Sequence, residues 1–143
     1  MTVVKRKIGT LEVHPIVLGC MNLSYAYGPA QEHDDAIEFL RSAIDMGYDF
    51  FDTATIYGMG GNEKLIGEAL KDRRGDFVLA SKCVMGFKDG KRLLDARPEA
   101  IKSACELSRW DGWILHALMV PMSIPKQWLG WKRTRSSTGR LTR

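Results

Sequence analysis

Three short apolar runs recur along the chain, each followed by a loop and a helical stretch: Ile16-Val17-Leu18, Phe50-Phe51 and Phe77-Val78-Leu79-Ala80. Unbroken apolar runs of this kind are what strands buried in a parallel sheet require, and helices between them supply the crossovers. The helical stretches have the matching periodicity. Glu32 to Met46 places Ala36, Ile37, Leu40, Ala43 and Ile44 on one stripe, with Asp34 and Asp35 favouring its N-terminus and Gly47 ending it. A second helix is expected from Asn62, read as its N-cap, to Asp72, burying Leu65, Ile66, Ala69 and Leu70. A third starts near Pro98 and turns Ile101, Ala104 and Cys105 inward. Ahead of all this, Val3–Ile8 and Leu11–Val13 flank Gly9-Thr10 as a hairpin. The order is hairpin, βα, βα, βα. Gly86 to Arg97 reads as a polar loop, and Trp113–Leu118 is the apolar run available for a fourth strand.

Two of the strands end in charge. Asp52 sits where the Phe50-Phe51 strand stops, Tyr57 follows five residues later in the loop, and Gly58, Gly60 and Gly61 loosen the backbone before the next helix. Lys82 ends the Phe77–Ala80 run. An apolar strand does not end in an ammonium without a partner, and Asp52 on the neighbouring strand is the natural one. A lysine held between Asp52 and Tyr57 would face the phenol, and a nearby cation favours its phenolate form. That would make Tyr57 a proton donor. In barrels of parallel strands, catalytic groups gather at this C-terminal edge.

These residues also carry a family resemblance. Asp52-Thr53-Ala54-x-x-Tyr57-Gly58, then Asn62-Glu63-x-x-Ile66-Gly67-x-Ala69-Leu70, then Ala80-Ser81-Lys82 resembles the aldo-keto reductases, and Leu18-Gly19-Cys20-Met21 is similar to that family's first strand and first active-site loop. The resemblance covers residues 3–107. It implies the N-terminal portion of a (β/α)8 TIM barrel, an N-terminal hairpin plus about three βα units. It also implies an NADPH-dependent oxidoreductase that reduces aldehyde and ketone carbonyls. By resemblance, Tyr57 is the general acid, Lys82 and Asp52 tune it, and Gly19, Met21 and Asp52 lie against the cofactor. The family's catalytic histidine ends the fourth strand in a Tyr-x-x-His setting, whereas His116 here sits in Ile-Leu-His-Ala. The chain has 143 residues, and a complete barrel takes ~250. The incomplete barrel leaves two alternatives beside the reductase: a truncated non-catalytic fragment that self-associates through open sheet edges, or an adaptor-type relative that binds nucleotide without turnover.

Composition divides the chain near Ser108. Residues 1–107 carry 14 Lys+Arg against 16 Asp+Glu, residues 108–143 carry 7 against 1, and Trp110, Trp113, Trp128 and Trp131 all lie in the second part. A basic, tryptophan-bearing tail admits nucleic-acid binding, but a changed reading frame accounts for it better. The codons of Pro125–Lys132, read from each third base, permit Glu-Thr-Val-(Ala/Val)-Gly-Met-Glu, similar to the family's segment after the fourth strand. Residues 108–143 are therefore expected to be frame-shifted or disordered, with no nucleic-acid partner. No apolar run approaches the ~20 residues that span a bilayer, and the N-terminus has no apolar signal core, so no membrane partner is expected. Cys20, Cys83 and Cys105 form no CxxC pair and read as unreactive thiols in a reducing cytoplasm. His14 reads as a turn residue and His33 as a surface residue at a helix start. Tyr25 and Tyr27 are expected in the wall of a substrate pocket.

Overall fold

The structure, a computed structural model, describes residues 3–24, 27–107 and 117–119. In chain order the elements are β1 (Arg6–Ile8), β2 (Leu11–Val13), β3 (Leu18–Gly19), a 3-10 turn over Met21–Leu23, α1 (His33–Asp45), β4 (Phe50–Asp52), a 3-10 turn over Tyr57–Gly60 and α2 (Gly61–Leu70). A 3-10 segment over Lys71–Asp76 leads into β5 (Val78–Lys82), and β6 (Met85–Lys88), β7 (Lys91–Leu94), α3 (Pro98–Leu107) and β8 (Ala117–Met119) follow.

Strands β3, β4, β5 and β8 form one four-stranded sheet in that order, and every pair is parallel. Within this sheet the spatial order follows the chain order, as in the opening strands of a barrel, with the separate β6–β7 pair intervening in sequence between β5 and β8. The register aligns Leu18, Phe51 and Leu79 in one row and Gly19, Asp52 and Ala80 in the next, where the strands end. Side chains alternate across the sheet. Phe51 and Leu79 point to the helices, and Phe51 is fully buried with its ring edge-on to Phe77, centroids 5.4 Å apart. Against them pack Ala36, Leu40, Ala43 and Ile44 of α1 and Leu65, Ile66, Ala69 and Leu70 of α2, the stripes expected from helical periodicity. Phe50 and Val78, on the other face, are half-buried.

The β1–β2 hairpin turns at Gly9, whose φ is +61°, with Lys7 opposite Glu12. It is moored to the start of β4. The His14 backbone N–H donates to Asp49 Oδ1 at 2.5 Å, and Lys5 Nζ lies 2.6 Å from Asp49 Oδ2. Ion pairs cross-brace the helices: Arg41 to Asp72 at 2.9 Å, Arg73 to Asp45 at 2.5 Å, and His33 to Glu68 at 3.1 Å.

Several expectations are corrected. Gly86–Arg97 is not simply a loop, because β6 and β7 pair there as an antiparallel hairpin around Asp89-Gly90, both residues at positive φ (51° and 74°). Asp-Gly is the pair that a two-residue turn of this hand selects. The strand expected from Pro15 is regular only at Leu18–Gly19; Ile16 and Val17 are 59% and 41% exposed because they precede the stretch that the helices cover. Tyr27 is 90% exposed at φ 52° and packs into no pocket wall among the described residues; Tyr25 lies outside them. Strand β8 falls within the part set apart as a tail, and overlaps the end of the run expected to serve as the fourth strand. The rest of 108–143, including His116, lies outside the described residues.

Candidate active site

The C-terminal row of the sheet assembles the site. Past the end of β4 the ladder with β5 continues: the Thr53 N–H donates to Ala80 O at 2.8 Å and the Thr55 N–H to Lys82 O at 3.0 Å. The Thr55 hydroxyl donates to the same Lys82 carbonyl at 3.1 Å. This lacing carries the chain upward, and a Tyr57 N–H to Ala54 O bond of 3.0 Å then turns it over the sheet end. Gly58 follows at φ +57°, and a Cβ there would stand 3.2 Å from Ser24 Cβ, so both backbone and space call for glycine. Met59 is likewise held at positive φ, 54°, in the turn that leads to α2.

Lys82 and Asp52 meet. The ammonium bonds directly to Asp52 Oδ1 and donates to Thr53 O at 2.7 Å, with about a quarter of each side chain exposed. The same ammonium lies over the Tyr57 ring, 5.3 Å from its centroid, within the range of cation–π attraction. Asp52, Tyr57 and Lys82, expected together from the sequence, are brought together. The Lys82 contact to Tyr57 that the structure records is with the ring face.

Gly19 and Met21 belong to the same end. Gly19 is in register with Asp52, and the Cys20 N–H donates to Asp52 O at 2.9 Å. A Cβ built on Gly19 meets nothing within 4 Å. The backbone there is open beside the residue that carries the ion pair, and Met21, two residues on, is half-buried. Burial, and then the Asp52 charge, push the Cys20 thiol up to about 12. Cys20 and Cys83 are both buried.

Under this rim lies a polar layer that sequence reading did not assign. Asn62 is the second residue of α2 and not its cap; Gly60 at φ 87° is the cap. The Asn62 side chain is fully buried. It accepts from the Thr53 hydroxyl at 2.6 Å and donates to Cys20 O at 2.8 Å and Ser24 Oγ at 2.9 Å. Next to it, buried Glu63 accepts from the buried Ser81 hydroxyl at 2.6 Å. The signal in the sequence was polar residues in apolar company: Thr53 and Ser81 beside buried strands, Asn62-Glu63 opening an apolar helix. Every buried side-chain N and O among the described residues has a partner. No group of three or more His, Cys, Asp or Glu among them could hold a metal ion, and no helix among them is long and apolar enough to cross a membrane.

Sequential parallel strands, outer helices, and a carboxylate, ammonium and phenol at the C-terminal strand ends define a protein of the (β/α)8-barrel class, of which the described residues form the N-terminal part. The model of the aldo/keto reductase family matches residues 15–133, and the chain belongs to that family. It is 39% identical over 113 residues to "Probable aldo-keto reductase 1" of Glycine max, across 73% of this chain and 32% of that protein. It is 37% identical over 114 residues to the NADP(+) aldo-keto reductase yakc of Schizosaccharomyces pombe, across 76% of this chain and 33% of that protein. Among solved structures, the holo form of an aldo-keto reductase from Bacillus halodurans superposes with a TM-score of 0.65 at 33% identity, over 75% of this chain and 35% of that one. The chain thus spans about a third of the length of the relatives it matches.

Proposed function

We propose that this segment forms the proton-donating end of an NADPH-dependent reductase of aldehyde and ketone carbonyls. The observation that carries the reading is the single ammonium shared by Asp52, the Thr53 carbonyl and the Tyr57 ring. NADPH, when bound, supplies the hydride to the carbonyl carbon. Tyr57 gives its hydroxyl proton to the carbonyl oxygen as charge develops there. Lys82 favours the phenolate that remains, and solvent returns the proton. Asp52 holds Lys82 in place. Gly19 leaves backbone open for the cofactor ring, with Met21 beside it. The buried thiols of Cys20 and Cys83 fit a reducing cytoplasm.

The test is a chimera in which residues 15–107 replace the matching segment of the yeast relative. Tyr57→Phe should lower carbonyl reduction by roughly 10²–10⁴, the range for loss of a general acid, while NADPH binding persists. Unchanged turnover in that variant removes Tyr57 from the role. Binding of NADPH without turnover in the parent chimera favours the adaptor-type reading.

A second reading concerns the chain by itself. Its described parallel strands number four, and a closed barrel needs eight. Strands β3 and β8 each pair with one neighbour only among the described strands, and an unpaired edge is a template for association. The isolated 143-residue chain is therefore inferred to be silent as a reductase and to self-associate. NADPH oxidation that tracks the purified chain and vanishes with Tyr57→Phe overturns this reading.

A further inference from the structure

We propose that Asn62 and Glu63 are positioning residues: the first turn of α2 is a two-pronged clamp that sets the Asp52–Lys82 pair. The two residues are consecutive, and each grips a different strand at the same level. Asn62 accepts from Thr53 Oγ1 at 2.6 Å, one residue beyond Asp52. Glu63 accepts from Ser81 Oγ at 2.6 Å, one residue before Lys82. Side chains alternate across a strand. A hydroxyl held on the helix side at Thr53 or Ser81 thus fixes the direction in which its neighbour emerges on the opposite side. The prongs share one rigid helical turn, so the separation of the two hydroxyls sets the separation of the two charges. A third hold comes from Asn62 Nδ2, which donates to Cys20 O and Ser24 Oγ and draws in the end of β3. All four clamp residues are buried. Buried polar groups lose their desolvation cost only when every member is paired, so this layer has one low-energy arrangement.

The clamp rests on the reading of Asp52 and Lys82 as functional, but its test does not require turnover. The chain contains its own control, because Lys5 pairs with Asp49 just ahead of the start of the same strand. The 143-residue chain is treated with a trace of acetic anhydride across a pH series, and the modification rate of each lysine is read by mass spectrometry. In Thr53→Val, which removes the hydroxyl at nearly constant shape, Lys82 should be modified about fivefold faster, as loss of one buried hydrogen bond implies. Lys5 should keep its rate, and Thr53→Ser should restore that of Lys82. Ser81→Ala should repeat the effect from the other prong, and Glu63→Gln, which keeps an acceptor oxygen, should not. Global unfolding accelerates all lysines together. If Thr53→Val does so, the gentler Ser81→Ala decides. Lys82 at its parental rate in Ser81→Ala overturns the clamp, and so does acceleration of Lys82 and Lys5 by the same factor. Absence of reductase activity in the chimera leaves these rates untouched, so the two readings fail separately.

Discussion

Strand β4 has a lysine–aspartate pair near each end, and the pairs differ in everything except their chemistry. At the entry, Asp49 accepts from Lys5 and from the His14 N–H. Its carboxylate is well covered, with 14% of the side chain exposed, but the lysine is 55% exposed and comes from the terminal hairpin. At the exit, Asp52 and Lys82 are covered to the same degree, come from adjacent strands, and sit above a buried polar layer. The entry pair ties one element to another. The exit pair also presents its ammonium to a phenol. An aspartate–lysine contact therefore does not identify a site; what distinguishes the exit is that the surroundings hold both partners rigidly and bring a third group to them.

The largest expected effect destroys the comparison. Phe51 lies between the two ends, fully buried in the row that joins β3, β4 and β5. Phe51→Ala should cost about 3–5 kcal/mol, comparable to the whole stability of a small domain. Urea unfolding followed by circular dichroism should show the cooperative transition lost, and both pairs with it. A transition at the parental midpoint would show that the sheet does not depend on this ring.

Exchanging each lysine for methionine sharpens the contrast. Lys82→Met leaves the Asp52 carboxylate and the Thr53 carbonyl without their donor. With about a quarter of each side chain exposed, solvent moderates the loss to about 1–2 kcal/mol. Lys5→Met should leave the urea midpoint unchanged within error, because an exposed lysine contributes little through its ion pair. Equal shifts for the two would contradict the difference drawn between the ends.

The smallest effect is away from both ends, and it depends on pH. His33 bridges Asp34 at 3.2 Å and Glu68 of α2 at 3.1 Å, and these two carboxylates, Asp34 first, raise it above its ordinary 6.5. A raised folded value means that the folded state holds the proton more tightly. The contribution is complete below 6.5 and is lost as pH climbs through the raised value. The Tm difference between the parent and His33→Asn should shrink as pH rises above 6.5 and through the raised value. A difference that grows with pH would place the histidine in some other interaction.

Much of this was legible without coordinates. Apolar stripes at helical spacing marked α1 and α2, because burial against a sheet imposes that periodicity. The motif from Asp52 to Gly58 and the lysine ending β5 marked the groups that meet at the candidate site, since charge at the end of an apolar run needs a partner. The β6–β7 hairpin was legible too, in Asp89-Gly90, but its polar flanks read as loop. Asn62 misled because a capping preference is local: an asparagine before an apolar run looks the same whether it closes a helix end or points inward. Tyr27 misled in the same way, because an aromatic ring in a loop does not announce whether anything packs against it.

The sequence by itself determined the alternation of strands and helices, the parallel order of the sheet, and the three groups that could do chemistry at its C-terminal edge. These follow from periodicity and from the cost of leaving charge unpaired, which act within a few residues of one another. Tertiary structure alone decided which hydroxyl meets which side chain: Thr53 with Asn62, Ser81 with Glu63, the Cys20 carbonyl with the Asn62 amide. Those partners lie 9, 18 and 42 residues apart. A buried hydrogen bond depends on distance and direction to within a few tenths of an ångström, and only the packed helix and sheet bring the groups that close.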